Sequence, residues 1–527
     1  MHDLGFLLGA AAGAWLVIRW TGAPPIPLLL LAGLGVGRIA HLSPDFVVDT
    51  VVLGTSFLLF TSGMELSARR VRSEAPTAFR VGVVQFVVLG VLGWAAALAL
   101  GYRGLESAYL ALALTASSTL VGVRLLKRSR RMFEAFGRLV LGTLLVQDLL
   151  VLLAVPLVLG MAGGTGTALS SAGGIVFLGL LTLAGRHWLP PLVIRVEDEP
   201  ELLLLGALSL LFLFLAVAEV ASLPLVLGAF LAGVSLSSFP ADGMVRAGLT
   251  PIADFFAALL FTALGALVVL PAGREILHSA LLAAMVVGVT VPLVTALALR
   301  RGYSTRPAVE AGLLLSQTSE ISLVLGLTGM LQGHLRPEVF TVIALVTVST
   351  MLLTPLLATE RVVGPLARRL RRGGAGGHGP PPEDHVLVLG AGSSGSTLIE
   401  DLILADCSLV VVDEDPRMAR RIREAGIRVI EGNVSDPGVV AAAGAPRARL
   451  VISTLRRIHD LEVLLDASPG VPVLVRVLED PEETWIRSRG GQPVRFYDAS
   501  VQQLMEWVEE EEPDLTARLR ARVARPE

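Results

Sequence analysis

The first 360 residues consist largely of apolar blocks, each about 17 to 25 residues long, separated by short clusters of Gly, Pro and Arg. A helix of this length is what a chain needs to cross the hydrocarbon core of a bilayer. The whole chain is 53% hydrophobic and only 17% charged, whereas soluble proteins carry about 25% charged residues. After residue 360 the sequence becomes charged and alternating. We therefore predict a polytopic α-helical membrane domain followed by a separate soluble domain.

Basic residues predict the orientation of this membrane domain. They concentrate in the loops after odd-numbered blocks, as at 127–131 and 361–372. The positive-inside rule then places the N-terminus outside and the C-terminus in the cytoplasm of a cell (inner) membrane. The first block follows Asp3 and no basic stretch, so we expect a retained span rather than a signal peptide. The 13 predicted spans lie at about residues 4–20, 25–41, 46–66, 79–101, 105–126, 136–160, 167–189, 202–220, 223–239, 253–270, 276–299, 307–331 and 337–359.

An odd number of spans permits inverted repeats, in which spans one to six map onto spans eight to thirteen. Under this mapping the fifth span, YLALALTASSTLVGVRLL, corresponds to the twelfth, VEAGLLLSQTSEISLVLGLTG. Both carry a Ser/Thr-rich patch midway along an apolar helix. Corresponding interrupted spans mark the midplane binding site of many transporters. The alternative is that these hydroxyls only bond to carbonyls of the preceding helical turn.

One charge, Asp148, lies at the centre of the sixth span, next to Gln147. A carboxylate in mid-membrane costs about 2.5 to 3.5 kcal/mol on insertion scales and is a functional candidate by default. A group that binds either a proton or a monovalent cation, and faces alternate sides, is the minimum machinery for exchange. The alternative is an acid that pairs with a basic residue for packing. Glu320, in the twelfth span, is either a second site carboxylate or a hydrogen-bonded brace.

Several strings recur in order along the membrane domain, and together with the QD pair they resemble a Kef-type member of the monovalent cation:proton antiporter 2 family. The resemblance implies a homodimer, in which each protomer has a dimerisation domain and a mobile core. In that core two broken helices cross beside an ion-binding aspartate. The strings are LLFTSGMEL (58–66), ALTASSTLV (113–121), GRLVLGTLLVQDLLVLLAVPL (137–157), VLGAFLAGVSL (226–236), LLSQTSEISLVLG (314–326) and STMLLTPLL (349–357).

The resemblance also assigns residues to the site, with Asp148 as the ligand of the monovalent cation and the proton. The QD pair resembles the electroneutral, potassium-preferring branch. Two departures leave the ion preference and the stoichiometry open: Thr290 or Val291 stands where relatives commonly carry a Lys, and TSEI replaces GSEF. The residues assigned to the cation and proton site are Asp148, Gln147, Ser117, Ser118, Thr119, Gln317, Ser319 and Glu320.

The segment HVLVLGAGSSGSTLIEDLILADCSLVVVDEDP indicates a strand, a Gly-rich turn, a helix and a second strand. Its three glycines form GxGxxG, and Asp413 ends the second strand 18 residues after the third glycine. In the dinucleotide fingerprint the glycines let a pyrophosphate approach and the acid binds ribose hydroxyls. We predict a cytoplasmic α/β Rossmann domain with a C-terminal helix at 383–527, joined by a basic, Gly/Pro-rich linker (361–382) to the membrane domain (1–360). An α/β domain that has lost its nucleotide is the alternative.

This domain resembles the potassium-transport nucleotide-binding domain over Asp384 to about Gly491, which in the family occurs as a gating dimer under the membrane. Two departures bear on the ligand. The family's GDA is GNV here (432–434), and Arg456 and Arg457 replace acidic residues after the fourth strand. These arginines favour AMP or ATP over NAD(H), or form a solvated edge. The predicted nucleotide-binding residues are Gly390, Gly392, Ser393, Ser394, Gly395, Asp413 and Asn433.

The features together predict a monovalent cation:proton antiporter that works by alternating access, with potassium as the expected cation and nucleotide gating. Its expected partners are a second copy, lipid and an adenine nucleotide, and not nucleic acid. A sodium/proton exchanger is the first alternative. A ligand-gated potassium channel is the second, although the sequence has no selectivity-filter string of the TVGYG kind. A membrane-anchored oxidoreductase is the third, but no catalytic acid or base accompanies the fingerprint, so we predict that the protein is not an enzyme.

Overall fold

The structure is a computed structural model, and the chain divides into two compact units. One comprises Met1–Ala298 and Arg306–Leu366, and the other comprises Leu299–Thr305 and Ala367–Glu527. Arg456 and Arg457, the linker after Leu370 and the predicted C-terminal helix lie outside the described residues. The structure describes residues 2–21, 25–40, 42–65, 75–129, 131–132, 135–163, 165–195, 199–221, 223–237, 241–370, 383–405, 407–455, 458–478 and 480–495.

The first unit is helical, and each predicted span coincides with one helix or with a pair of short helices. Eight of the described helices are long and apolar enough to cross a membrane, judged by length and composition, and the total of 13 crossings stays a prediction. The helices are α1 (His2–Thr21), α2 (Pro25–Ile39), α3 (Pro44–Glu65), α4 (Ala75–Ala99), α5 (Leu105–Ala113), α6 (Thr119–Arg128), α7 (Ala135–Gly163), α8 (Thr165–Arg195), α9 (Pro200–Val220), α10 (Leu225–Leu236), α11 (Ala241–Leu267), α12 (Gly273–Arg300), α13 (Thr305–Leu314), α14 (Glu320–Leu331), α15 (Pro337–Leu357) and α16 (Glu360–Leu370).

Two close helix crossings follow the predicted inverted repeat. Helix α2 packs on α11 through Gly33 and Gly265, and α3 packs on α10 through Gly63 and Gly233. A Cβ atom at any of these four glycines would overlap the backbone of the facing helix. Small residues permit such backbone contact between membrane helices. Helices α2 and α11 are the second and tenth predicted spans, and α3 and α10 are the third and ninth. Exchanging spans that are seven apart converts the first crossing into the second, so the packing has the symmetry that the sequence predicted.

The fifth and twelfth predicted spans are each broken in the middle. Five non-helical residues separate α5 from α6 (114–118) and α13 from α14 (315–319). Ser118 and Ser319 are the N-cap residues of the second halves, and each hydroxyl accepts a backbone N–H of the same turn, at 3.3 and 3.2 Å. N-cap serines satisfy amides that the first turn of a helix leaves unbonded. The Ser/Thr-rich patches therefore interrupt their helices, rather than only softening them.

The second unit contains a parallel six-stranded sheet in the order β3-β2-β1-β4-β5-β6. This is the doubly wound order whose ligand crevice lies at the carboxyl ends of β1 and β4. The strands pair in register, for example Val386 with Leu409 and with Leu450. The elements are β1 (Val386–Leu389), α17 (Ser393–Leu404), β2 (Leu409–Asp413), α18 (Pro416–Glu424), β3 (Arg428–Glu431), α19 (Pro437–Ala442), β4 (Leu450–Ser453), α20 (Glu462–Ala467), β5 (Val473–Val477), α21 (Asp480–Ser488) and β6 (Gln492–Arg495).

Two details of this unit differ from the sequence interpretation. Helix α17 begins at Ser393, directly after Gly392, and not after the complete Gly-rich turn, because the tight turn at Gly390 lets the helix start within the glycine motif. The sheet also extends past Gly491 through β6, which pairs with β5. Strand β6 carries mostly exposed residues, so it lacks the apolar alternation by which strands are recognised.

Candidate functional site

Asp148 lies in the middle of α7 and is buried, with 1% of its surface exposed. Its side chain therefore faces the protein interior and not lipid. The hydroxyl of Thr119 donates a hydrogen bond to Asp148 Oδ2 at 2.9 Å. Thr119 is the first residue of α6, so the carboxylate meets the point where the broken fifth span resumes its helix.

Gln147, which the resemblance assigned to the cation site, makes a hydrogen bond between α7 and the broken fifth span. The backbone N–H of Ser117 donates to Gln147 Oε1 at 3.2 Å. This bond satisfies an amide of the unwound stretch that no helical partner reaches. Gln147 is fully buried, and its Nε2 has no hydrogen-bond partner within the residues that the structure describes.

The two unwound stretches contact each other directly. The hydroxyl of Ser117 donates to the carbonyl oxygen of Leu315 at 2.7 Å. In the opposite direction, Gln317 Nε2 donates to the carbonyl oxygen of Ser118 at 3.4 Å. These bonds place Ser117, Ser118 and Gln317 in one buried crossing between the broken helices. The crossing that the family resemblance implied is therefore present in the fold.

Gln85 belongs to this crossing, although the sequence analysis missed it. It is fully buried on α4, and its Nε2 donates to Ser117 Oγ at 3.4 Å and to the Leu315 carbonyl at 3.2 Å. Its Oε1 has no hydrogen-bond partner among the described residues. A neutral Gln inside an otherwise apolar span was the available signal, because polar side chains in membrane helices mark helix contacts. Gln85 lies outside both the Ser/Thr-rich patches and the strings that carry the family resemblance.

Glu320 lies at the first residue of α14 and is buried. Its carboxylate interacts with the Ser118 hydroxyl and with the backbone N–H of Leu120. The acid therefore lies at the N-termini of both second half-helices, where the helix dipoles favour negative charge. Its Oε2 has no hydrogen-bond partner among the described residues, so the brace and the second site carboxylate both stay open. Ser319 caps the same helix end.

Thr290, which stands where the resemblance implies a lysine, is fully buried on α12. Its hydroxyl has no hydrogen-bond partner in the described part of the chain. Within the same residues, no group of three or more His, Cys, Asp or Glu side chains is arranged to hold a metal ion. The polar crossing thus offers the carboxylates of Asp148 and Glu320, hydroxyls and amide oxygens, the ligands that suit a hard cation.

The glycine motif of the second unit has the geometry that the fingerprint requires. Gly390 has φ +87°, a backbone conformation that favours glycine. A Cβ at Gly395 would overlap the Gly390 carbonyl, whereas a Cβ at Gly392 would meet nothing within 4 Å. Gly392 is thus open to an approaching ligand, while the other two glycines serve the turn and the packing of α17. Ser393 and Ser394 form the first turn of α17, but their side chains are outside what the structure describes.

Asp413 ends β2 beside this motif. Its Oδ2 accepts the backbone N–H of Ala391 at 2.6 Å, and its Oδ1 accepts that of Asp415 at 2.7 Å. Burial raises the pKa of Asp413 from 3.8 to about 6, although the two backbone hydrogen bonds lower it. A carboxylate has lone pairs for further donors, so Asp413 can still accept ribose hydroxyls.

Asn433 follows β3 and lies between two acids. Its Nδ2 donates to Glu414 Oε2 at 2.9 Å and to Asp460 Oδ2 at 3.4 Å, and its Oδ1 accepts the backbone N–H of Ser435 at 2.8 Å. A carboxylate in place of this amide would repel both acids. The change from GDA to GNV therefore has a local electrostatic reason.

Comparisons with known proteins agree with both halves of the chain. The model of the family described as "Sodium/hydrogen exchanger, transmembrane" matches residues 7–359, and that of the TrkA-N domain matches residues 386–487. The chain is 25% identical to the YbaL protein of Escherichia coli (strain K12), over 95% of this chain and 94% of that protein. It is 25% identical to the glutathione-regulated potassium-efflux system protein KefC of Enterobacter sp. (strain 638), over 92% and 80%.

A plant relative is more similar over a shorter region. The chain is 30% identical to K(+) efflux antiporter 5 of Arabidopsis thaliana, over 70% of this chain and 68% of that protein. The family match covers more than half of the chain. This chain therefore belongs to the sodium/hydrogen exchanger family, as a Kef-type, multi-pass membrane protein with a C-terminal TrkA-N Rossmann domain.

Proposed function

We propose that this protein exchanges potassium ions for protons by alternating access, and that nucleotide bound to the second unit controls the exchange. The proposed ion exchange is supported mainly by one observation: Asp148 is a buried carboxylate that accepts a hydrogen bond from Thr119 at the crossing of two broken helices. A midplane site between two inverted repeats is the arrangement that alternating access requires. The names of the relatives, which include potassium-efflux proteins, support the choice of cation.

The polar groups around the crossing support binding of a dehydrated cation. Oε1 of Gln85 and Oε1 of Gln317 are buried amide oxygens without hydrogen-bond partners among the described residues. In potassium-selective proteins such oxygens replace the hydration shell of the ion. Thr119 and Asp148 add a hydroxyl and a carboxylate. A single carboxylate that carries either H⁺ or K⁺ moves one charge in each direction, so exchange is electroneutral. The absence of the lysine at Thr290 fits this one-for-one stoichiometry.

Control by a nucleotide is supported by the open backbone at Gly392 and by Asp413 at the end of β2. The positive end of α17 begins at this point, where it favours phosphate groups. We propose AMP, ATP or NAD(H) as the ligand, bound in a homodimer whose tail lies in the cytoplasm. The N-terminus then lies on the outer side of the cell membrane.

The test is transport by the full chain in liposomes that contain a pH-sensitive dye. A potassium gradient should drive a proton flux in the opposite direction, and the flux should change when AMP, ATP or NAD(H) is added. Sodium gradients test the sodium/proton alternative, which the description of the matching family favours. A potassium current without proton flux would indicate a channel. The absence of any cation-driven proton flux would refute the proposal.

A further inference from the structure

In each repeat, a side chain on the first half of the broken helix contacts the segment that follows the second half of the other broken helix. Glu310, on α13, forms an ion pair with Arg131, which lies between α6 and α7. Arg306 also reaches Glu310, with Nε at 3.2 Å from Oε1. The Arg131 side chain is only 2% exposed, and its guanidinium lies 4.4 Å from the ring centroid of Phe136. We refer to Arg131, Glu310 and Arg306 as the Arg131 cluster.

A corresponding contact exists in the other repeat. The Tyr109 hydroxyl on α5 shares a hydrogen bond of 3.0 Å with His334 Nδ1, between α14 and α15. Tyr109 and Glu310 each lie nine residues before the N-cap serine of the half-helix that follows. The inverted repeat therefore relates the Arg131 cluster to the Tyr109–His334 contact, which we call the His334 contact.

The Arg131 cluster is rigidly connected to the crossing. Helix α13 ends at Leu314, four residues after Glu310. The next residue is Leu315, whose carbonyl accepts from Ser117 and Gln85. Four residues of helix span about 6 Å, so any shift of Glu310 moves the unwound stretch with it. Packed rigid elements of this kind carry coupling between separate sites.

The two contacts differ in strength. The Arg131 cluster contains a buried ion pair between Arg131 and Glu310, and removing one member of such a pair is strongly destabilising. The His334 contact is a single hydrogen bond, with the Arg336–Glu106 ion pair near it in the sequence. Arg336 in that pair is 64% exposed, and exposed pairs contribute little. The alignment of the two broken helices therefore depends more on the Arg131 cluster than on the His334 contact.

We propose that the Arg131–Glu310 ion pair is a positioning contact for the cation site. It holds α13 against the segment leaving α6, so that Leu315 and Gln317 stay aligned with Ser117 and Ser118. Neither residue binds the ion. The proposal rests on the proposed function, because it assigns a role in cation binding at the same crossing.

The test compares Arg131→Gln, Glu310→Gln and the double variant in proteoliposomes. Each single variant should raise the KM for potassium by about 5-fold to 150-fold, the range of a typical coupling free energy, with little change in Vmax. Because Arg131 and Glu310 contact each other directly, the double variant should be no worse than the worse single variant. The double variant removes both charges of this pair, and among these three residues only the Arg306 charge remains, so it still tests the proposal if a single variant does not fold.

Tyr109→Phe is the matched control, since it removes the corresponding neutral contact, and its KM should rise by less than about 5-fold. Potassium-dependent shifts in Tm report cation binding without transport, and they should shrink in the Arg131 and Glu310 variants. Folded variants with wild-type KM and wild-type Tm shifts would overturn the positioning role, while the wild type still exchanges cations. A wild type with neither flux nor Tm shift would overturn the proposed function and, with it, the positioning role.

Discussion

Replacement of Gln85 by Leu tests whether the crossing binds the cation through neutral groups as well as through Asp148. The two hydrogen bonds of Gln85 Nε2 are long, at 3.4 and 3.2 Å, so each contributes at most about 1 kcal/mol. The Leu315 carbonyl keeps its 2.7 Å bond from Ser117, and the substitution also removes a buried Oε1 that has no partner among the described residues. We therefore expect the free energy of unfolding to change by no more than about 1 kcal/mol.

Cation binding should change more than stability does. Loss of an oxygen ligand or of its positioning bonds costs about 1 to 3 kcal/mol, and every 1.4 kcal/mol corresponds to about tenfold in affinity. The KM for potassium should therefore rise by about 5-fold to 150-fold in proteoliposomes. Thr182→Val is a matched control, because Thr182 is buried and, among the described residues, its hydroxyl bonds only within its own helix, to the Leu178 carbonyl. A Gln85→Leu protein with the KM of Thr182→Val would refute the reasoning.

Two further predictions concern the nucleotide site. Gly392→Trp should abolish nucleotide binding to the full chain, measured by calorimetry, with little change in Tm, because a Cβ at Gly392 meets no described atom within 4 Å. Gly395→Ala is the contrasting variant and should lower the Tm, because its Cβ would overlap the Gly390 carbonyl. Unchanged nucleotide affinity in Gly392→Trp would contradict the site. Nucleotide affinity should fall as the pH drops through about 6, since burial raises the pKa of Asp413 to about 6 and the protonated acid has less acceptor capacity for ribose hydroxyls. Asp413→Asn should remove this pH dependence. A wild-type affinity that stays constant from pH 8 to pH 5 would contradict the role of Asp413.

Local sequence patterns predicted the parts of this protein that depend on local chemistry. The apolar blocks, the two Ser/Thr-rich patches and the GxGxxG motif each determine backbone structure within a few residues. The broken helices occur where hydroxyl-bearing residues can cap a new helix, as Ser118 and Ser319 do. Asp413 ends β2 as expected, because the apolar run stops there.

Contacts between distant segments could not be predicted from the same patterns. Arg131 and Glu310 are 179 residues apart, and in the sequence each resembles an ordinary charge near the end of a span. Only the crossing of the helices in the fold brings the two side chains together. Gln85 is a lone neutral residue in an apolar span, outside the Ser/Thr-rich patches and the family strings, and it joins the site only through the packing of α4. Strand β6 is defined by pairing with β5 and not by its own apolar content.

Transport by Asp148→Asn tests the central claim most directly. The substitution keeps the size of the side chain and an acceptor for Thr119, but it removes the charge that must bind either H⁺ or K⁺. In proteoliposomes we predict that potassium-driven proton flux falls to the level of protein-free liposomes, while the variant keeps the Tm and yield of the wild type. Proton flux that remains coupled to a potassium gradient in this variant would contradict the assignment of Asp148 as the shared site.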